Sequence, residues 1–379
     1  MERHPQGLDR HRRGKYCRSA RRRLEDRASV YVVEKSPRFQ AFGSGAYLYS
    51  VLARLLCRRR DVMQNWLELE ISRREKATEA ISVFELRHPN GEKLPAFTAG
   101  AHIDVKVRDG LVRQYSLSND PVETDRYVIA VLNEPTSRGG SRAIHEQFLQ
   151  GMKISVGEPR NHFPLLDADD HFVLVAGGIG VTPILAMARY LNRIGRSFEI
   201  HYCIRSRSTG AFLDVFQGPE FAGRVTLHVD DDPESTPLEL ARVLDKERAR
   251  LYVCGPGGFM NWVLSTAEGC LSPERVHKES FSAEPIAAAT DDGFEVEVAS
   301  TGQVFFIPTE RSITEVLEEA GVEVLVSCQQ GICGSCITNV LEGEPDHRDS
   351  VLSESERKSG KVFTPCCSRS KSPRLVLDL

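Results

Sequence analysis

The sequence contains no apolar run long enough to cross a membrane. Its least charged window extends from Phe39 to Ala53, is followed by Arg54, and falls short of the roughly 20 apolar residues that a spanning helix needs. The N-terminal region also carries acidic residues and lacks the clean apolar core of a targeting peptide. We therefore expect a cytoplasmic protein that does not bind membranes.

Several signatures of other protein classes are missing as well. Neither a Ser-His-Asp pattern nor a pair of carboxylates placed for acid–base chemistry is evident, so hydrolysis is not supported. The chain has no Gly-x-Gly-x-x-Gly fingerprint of dinucleotide-binding folds and no internal repeat. Only one C-x2-C hook occurs, whereas structural zinc sites favour two.

Four of the ten cysteines carry the most specific signal in the chain. Three follow a C-x4-C-x2-C spacing and the fourth comes after 29 intervening residues: Cys328, Cys333, Cys336 and Cys366. This spacing is typical of the ligands of a plant-type [2Fe–2S] cluster, because one tight loop must wrap three ligands around a small cluster. Glycines within the loop relax its backbone and let amides point at the sulfurs. Cys367 adjoins Cys366 and is an alternative fourth ligand.

The remaining cysteines have no disulfide-framework spacing, which together with a cluster favours a reducing compartment. The net charge of −4 hides an asymmetry, since residues 1–62 carry sixteen Lys and Arg against six Asp and Glu. We predict that residues 1–62 are a disordered or spurious extension and that Met63 starts the periodic part. The acidic body is not expected to bind nucleic acid and suits a protein partner with a basic docking patch.

The hydrophobic pattern divides the body into three parts. Residues 63–168 contain short alternating segments, which predict a small antiparallel β-barrel. Residues 169–284 alternate apolar strands with helix-like sequence and predict an α/β nucleotide-binding domain. A linker at 285–292 leads to the cluster domain at 293–379.

A barrel strand carries a candidate flavin motif. A flavin needs a cation for its phosphate, an aromatic face for its ring and a hydrogen-bond donor near N5. Arg113, Tyr115 and Ser116 can supply these in turn, because alternate residues of a strand share a face. On its own, an Arg–Tyr pair on a strand is usually a surface feature.

A short glycine-containing segment precedes an apparent helix at 143–149. Small residues and exposed amides at a helix N-terminus form an anion site, here for the flavin phosphate. The residues are Ser137, Arg138, Gly139, Gly140 and Ser141. The alternative is an ordinary glycine turn with Ser141 as the N-cap.

Two loops that follow apolar strands are candidates for nicotinamide-nucleotide binding. The carboxyl ends of parallel strands meet at one edge of a sheet, where ligands bind, and glycine lets a pyrophosphate approach the backbone. The first loop contributes Gly178, Gly180, Thr182 and Pro183, and the second contributes Cys254, Gly255 and Pro256. Cys254 is expected to face the site, with a buried structural thiol as the alternative.

Taken as a set, these motifs and the ending Cys366-x-Ser368-Arg369 resemble the phthalate dioxygenase reductase family, the reductase components of Rieske oxygenases. The resemblance covers about residues 65–379 and is greatest to the vanillate O-demethylase branch. It implies a multidomain fold with an antiparallel β-barrel flavin domain, an α/β nucleotide-binding domain and a C-terminal α+β plant-type ferredoxin (β-grasp) domain.

The resemblance also implies cofactors and partners. They are FMN rather than FAD, NADH as electron donor, a [2Fe–2S] cluster and a Rieske oxygenase component as electron acceptor, and we expect a monomer. Phe281 is expected to cover the flavin ring until nicotinamide displaces it. Arg205 and Arg207 follow the second strand of the nucleotide domain and are placed to hold a 2′-phosphate, which leaves NADPH open as the donor.

The resulting hypothesis is a chain of electron transfer in which Ser116, Cys254 and Phe281 act at the flavin. Electrons pass from NADH through FMN and the cluster to a vanillate O-demethylase-like aromatic oxygenase. The alternatives are a reductase for another acceptor, such as a haem oxygenase, and a redox sensor without enzymatic activity.

Overall fold

A computed structural model describes residues 65–379, apart from Asp109, residues 136–138, Asp167, Asp169 and residues 282–291. The predictions for residues 1–62, and nearly all of the linker prediction at 285–292, lie outside this part of the chain. Within it, no helix combines the length and the apolar character that crossing a bilayer requires.

Six antiparallel strands form the first sheet, in the order β4-β3-β6-β1-β2-β5. Alternating apolar side chains of these strands, such as Leu69, Ile71 and Ile103, fill one core. A bridge between Leu117 and Ile129 joins the two ends, so the sheet curls into a nearly closed barrel. The strands are β1 (Trp66–Lys76), β2 (Ile81–Arg87), β3 (His102–Arg108), β4 (Leu111–Ser116), β5 (Tyr127–Leu132) and β6 (Lys153–Gly157).

One helix, α1 (Gly140–Gln147), packs on the barrel. It begins three residues before the predicted start and ends two residues before the predicted end. The reason is that Gly139 adopts a left-handed conformation with φ 88°, which turns the chain into the first helical turn at Gly140.

The nucleotide domain is a parallel sheet with the order β11-β10-β7-β8-β9. After His171 its central strand is apolar because both of its faces are covered: Leu174 belongs to one core, and Val173 and Val175 belong to the other. The strands are β7 (His171–Gly177), β8 (Phe198–Ile204), β9 (Val225–Val229), β10 (Ala249–Cys254) and β11 (Val276–Glu279). The helices are α2 (Val181–Arg193), α3 (Leu213–Gln217), α4 (Leu240–Leu244) and α5 (Gly257–Glu268).

The C-terminal part is a mixed sheet with the order β13-β12-β18-β14-β16, in which β12 and β18 are parallel. Helix α6 starts with a capping box between Ser312 and Glu315 and buries Ile313 and Leu317 in the core beside the sheet. This is the predicted β-grasp arrangement. Its elements are β12 (Phe294–Val298), β13 (Gln303–Ile307), α6 (Ile313–Glu319), β14 (Thr338–Glu342), β15 (Pro345–Asp346), α7 (Glu354–Ser359), β16 (Val362–Phe363), β17 (Arg369–Ser370) and β18 (Arg374–Leu377).

Gly100 marks a close approach of the barrel to the segment that follows β6 and to helix α2 of the nucleotide domain. Its φ is 91°, and a Cβ at this position would lie 2.0 Å from the backbone oxygen of Phe163 and 2.9 Å from Cε of Met187 in α2. A backbone oxygen cannot move aside as a flexible side chain can, so the junction requires glycine here.

We predict that Gly100→Ala lowers the free energy of unfolding by about 3 kcal/mol, because overpacking adds to the strain of a positive φ. The matched control is Gly91→Ala, since Gly91 has φ 72° and nothing within 4 Å of its Cβ position. The control should lose only the conformational part, about 1 kcal/mol. Denaturant unfolding followed by circular dichroism measures both losses, and equal losses would contradict the packing argument.

Candidate functional site

The structure brings Arg113 of β4 onto the N-terminus of α1. A Cβ on Gly140 would lie 2.7 Å from Nε of Arg113, so the guanidinium stem lies across a position that only glycine leaves open. The left-handed Gly139 has open space at its Cβ position. A cation beside the amides of a helix N-terminus is an arrangement that fits a phosphate.

The other residues predicted for this anion site are placed differently. Ser141 accepts a hydrogen bond from the backbone N–H of Glu134 at 3.2 Å, and the N-cap of α1 is Gly139 rather than Ser141. The alternative in which Ser141 caps the helix is therefore wrong. Ser137 and Arg138 lie outside the described residues, and their role in phosphate binding stays a prediction.

Tyr115 and Ser116 do not share a face of β4, because successive strand residues point to opposite sides. Tyr115 lies on the same face as Arg113 and packs against the barrel core, and burial raises the pKa of its phenol. Ser116 is buried and pairs in register with His102 of β3. Its hydroxyl donates a hydrogen bond to the Glu279 carboxylate at 3.4 Å.

Glu279 is a site residue that the sequence analysis did not identify. It ends β11, where it pairs in register with Cys254 of β10, and it is the point at which the nucleotide domain meets Ser116 of the barrel. Burial raises its pKa to about 8, against a smaller lowering by the Ser116 hydrogen bond. A signal was available, since Glu279 precedes the predicted Phe281 by two residues at the end of a strand.

Cys254 has no exposed surface. Burial raises the pKa of its thiol well above the usual value, and the charge of Glu279 acts in the same direction. Cys254 is thus a neutral thiol packed in the domain core, on the strand beside Glu279. Its expected role at the flavin stays a prediction.

The two glycine loops meet at the carboxyl edge of the parallel sheet, as β7 and β10 are neighbours. A Cβ on Gly180 would lie 2.3 Å from the backbone oxygen of Cys254, and one on Gly255 would lie 2.5 Å from the Phe259 ring. These two glycines serve the packing of one loop on the other. The glycines with open space above them are Gly178, Gly257 and Gly258.

The open glycines are therefore the better candidates for close approach by a pyrophosphate. Gly178 has φ 52°, and Gly257 and Gly258 form the first turn of the 12-residue helix α5, with Pro256 as the N-cap. Thr182 is buried and its hydroxyl donates to the backbone oxygen of Ile179 at 3.2 Å. Pro183 is also buried in α2.

Phe281 is the last described residue before the gap at 282–291 and is 38% exposed. Phe281 follows Glu279 by two residues, so it is close in sequence to the contact between the barrel and the nucleotide domain. Covering of the flavin ring by Phe281 stays a prediction.

The four predicted cluster ligands are brought together and buried. Exposed fractions are 6% for Cys328, 3% for Cys333, 4% for Cys336 and 7% for Cys366. The Cys328 thiol hydrogen-bonds to those of Cys333 and Cys366, and Cys366 also contacts Cys336. The adjacent Cys328 thiol and then burial raise the pKa of Cys333.

The cluster loop has the backbone that its glycines predict. Gly331 and Gly334 both have φ 70°. The backbone N–H of Gln330 donates to Sγ of Cys328 at 3.3 Å, and that of Ser335 donates to Sγ of Cys333 at 3.4 Å. Four clustered sulfurs with amides directed at them fit the chemistry of an iron–sulfur cluster.

The two candidates for the fourth ligand differ in their neighbours. Cys366 contacts Cys328 and Cys336, whereas Cys367 lies 3.3 Å from the hydroxyl of Thr364 and next to Gly331. This geometry favours Cys366. In the described residues no three His, Cys, Asp or Glu side chains converge on one metal-ion position. A [2Fe–2S] cluster has no such requirement, because each of its irons takes only two protein ligands.

The family described as 2Fe-2S iron-sulfur cluster binding domain matches residues 296–371. A vanillate O-demethylase oxidoreductase of Pseudomonas sp. (strain HR199 / DSM 7063) is 47% identical over 316 residues, which cover 83% of this chain and 100% of that protein. The solved structure of phthalate dioxygenase reductase is 41% identical, with a TM-score of 0.67, and the match covers 85% of this chain and 99% of that one.

The chain belongs to the phthalate dioxygenase reductase family. The family predicted from the motifs is confirmed, as are the fold class and the assignment as an oxidoreductase. This reductase is also similar to an intact type IV self-sufficient cytochrome P450 monooxygenase, at 33% identity and a TM-score of 0.73, over 90% of this chain and 43% of that one.

We predict that Glu279→Gln reduces the pH dependence of stability. The folded protein holds this proton up to a pKa of about 8 and the unfolded chain only to 4.5, so the contribution of Glu279 to stability is lost as the pH rises between these values. Melting temperatures measured from pH 5 to 9 should fall less with pH in the variant. The exposed Glu234→Gln is the control, and an unchanged pH profile for Glu279→Gln would show that the carboxyl is not buried as described.

Proposed function

We propose that this reductase transfers electrons from NADH through FMN and a [2Fe–2S] cluster to a Rieske-type aromatic oxygenase of the vanillate O-demethylase kind. The observation that carries the proposal is the convergence of the Cys328, Cys333, Cys336 and Cys366 thiols, in a domain that also contacts the barrel. A full-length relative named for that activity supports the choice of partner.

Each bound group would supply its own chemistry: flavin accepts a hydride and releases single electrons, and the cluster holds one electron. The protein supplies positions and hydrogen bonds. Arg113 and the N-terminus of α1 would hold the flavin phosphate, and Tyr115 would offer an aromatic face. The Ser116 hydroxyl would donate a hydrogen bond to the flavin. After the nicotinamide donor leaves, this hydroxyl would hydrogen-bond to the Glu279 carboxyl.

The nucleotide would lie at the carboxyl edge of the parallel sheet. Gly178 and the first turn of α5 leave open backbone for its pyrophosphate. NADH is favoured over NADPH because Arg207, a candidate for binding a 2′-phosphate, is ion-paired with Asp232 at 3.2 Å. The acidic run at Asp230, Asp231 and Asp232 adds negative charge that disfavours a second phosphate.

A second acceptor class is a haem oxygenase, which the likeness to the P450 monooxygenase favours. Turnover assays with a purified Rieske oxygenase and with a purified P450 would distinguish the two. We also propose that the protein is a cytoplasmic monomer. It would bind neither nucleic acid nor membranes, because the part of the chain after residue 62 is acidic.

We predict that Cys333→Ser abolishes NADH-dependent reduction of cytochrome c but leaves reduction of ferricyanide, because the first needs the cluster and the second needs only the flavin. The exposed Cys270→Ser is the matched control and should keep both activities. Rates are followed by absorbance with each acceptor. Retention of both activities in Cys333→Ser would refute this order of electron transfer.

We also predict that Asp232→Asn raises the kcat/KM for NADPH relative to NADH by about two- to fivefold, the size expected when an exposed ion pair is removed. Arg207 would then be available to a 2′-phosphate. The control is Glu239→Gln, which removes a more exposed ion pair with Arg242. If the NADPH to NADH ratio changes equally in both variants, Arg207 is not at the nucleotide.

A further inference from the structure

A buried carboxylate on the barrel faces the cluster domain. Asp104 of β3 has no exposed surface, and its Oδ2 lies 2.5 Å from Nη2 of Arg160. Its Oδ1 accepts hydrogen bonds from Nε2 of Gln114 at 3.0 Å and from Oγ of Ser327 at 2.8 Å. Gln114 belongs to the barrel, but Ser327 belongs to the C-terminal domain. The carboxylate therefore joins two domains.

Arg160 makes a second connection from the same place. Its Nη1 donates to Oγ of Ser335 in the cluster domain at 2.9 Å. Its backbone is held to the barrel by two hydrogen bonds with His102, at 2.9 and 3.0 Å. The guanidinium thus extends from a fixed point, with Asp104 on one side and Ser335 on the other.

Both serines are part of the cluster loop. Ser327 immediately precedes Cys328, and Ser335 lies between Cys333 and Cys336. The hydroxyl oxygen of Ser335 also lies 3.2 Å from Sγ of Cys333. The two contacts from the barrel consequently hold the loop at both of its ends.

On the barrel side, the network reaches the strand of the flavin motif. Gln114 lies between Arg113 and Tyr115 in β4 and pairs in register with Asp104. His102 stacks on His162 with ring centroids 5.4 Å apart, and burial, with the charge of Arg160, lowers the pKa of His102 to about 4. At neutral pH the network therefore contains one ion pair and a neutral histidine.

A fully buried carboxylate is costly unless it is paired and hydrogen-bonded, and such networks fix one arrangement of the groups around them. We propose that Asp104 and Arg160, with Ser327 and Ser335, form a clamp that fixes the cluster loop against the flavin strand and sets the rate of electron transfer between the two cofactors. They are positioning residues. The inference rests on the proposed function.

The step concerned is the transfer of one electron from the reduced flavin to the oxidised cluster, with no bond made or broken and no further reactant. Its rate depends on the separation and orientation of the two groups. The residues proposed to hold the nucleotide, Gly178 and the first turn of α5, are not among the clamp residues, so we expect hydride transfer from NADH to be independent of the clamp.

The test uses the full-length, cofactor-loaded protein in four forms: wild type, Asp104→Asn, Ser327→Ala and the double variant. Asn keeps the size of Asp104 but removes the charge that pairs with Arg160, and Ala removes the hydroxyl from the loop. The control is Ser370→Ala, since Ser370 makes hydrogen bonds only within the cluster domain in the described structure. Iron content and circular dichroism establish that each variant is folded and loaded.

Anaerobic stopped-flow absorbance separates flavin reduction by NADH from reduction of the cluster. We expect the flavin to be reduced at the wild-type rate. We expect reduction of the cluster to be slower by as much as ~100-fold, which is the effect that a small misplacement of the reacting groups produces. The slowing in the double variant should be less than the product of the single effects, because both changes weaken hydrogen bonds of the same Asp104 side chain. Amide hydrogen exchange at 326–337 should accelerate in all three clamp variants and not in Ser370→Ala.

Unchanged cluster reduction in Asp104→Asn and Ser327→Ala would overturn the clamp, and so would unchanged exchange of the loop. A wild-type protein whose flavin is not reduced by NADH would instead overturn the proposed function. If Asp104→Asn does not fold, Ser327→Ala alone decides, because it leaves the ion pair between Asp104 and Arg160 in place.

Discussion

The rate of electron exchange between two cofactors on different domains depends on how those domains are held together. Two of the contacts that the structure provides are hydrogen bonds to carboxyl groups away from the surface. The fully buried Asp104 accepts from Ser327 across one junction, and Ser116 donates to Glu279 across the other. Because a buried polar group without a partner is destabilising, each contact favours one arrangement of its domains over alternatives. The flavin strand β4 contributes to both junctions through Gln114 and Ser116.

Close approach of backbone segments is the second constraint, and it explains several glycines. Gly180 and Gly255 allow the two nucleotide-domain loops to pack on each other, and Gly100 allows the barrel to reach α2. Gly140 provides the surface on which Arg113 lies. At these four positions the lack of a side chain allows other parts of the protein to pack closely. At Gly178 nothing lies within 4 Å of the Cβ position, which leaves space for a ligand.

Burial has opposite effects on the pKa values of two neighbours of Ser116. It raises the pKa of the Glu279 carboxyl and lowers that of the His102 imidazole, because it disfavours the charged form of each. Both groups are therefore mainly uncharged near neutral pH. The charged side chains of the network beside the cluster loop are Asp104 and Arg160, which form an ion pair.

The sequence by itself determined the family, the three-part architecture and the cluster motif, because periodicity and cysteine spacing are local properties that neighbouring residues fix. The helix at 143–149 was shifted by the left-handed conformation of Gly139, which spacing does not reveal. Only the tertiary structure decided that Ser116 meets Glu279, that Cys254 is wholly buried, and that Asp104 reaches the cluster loop. These pairs are separated by 163 and 223 residues, so they arise from domain packing, which no local pattern records.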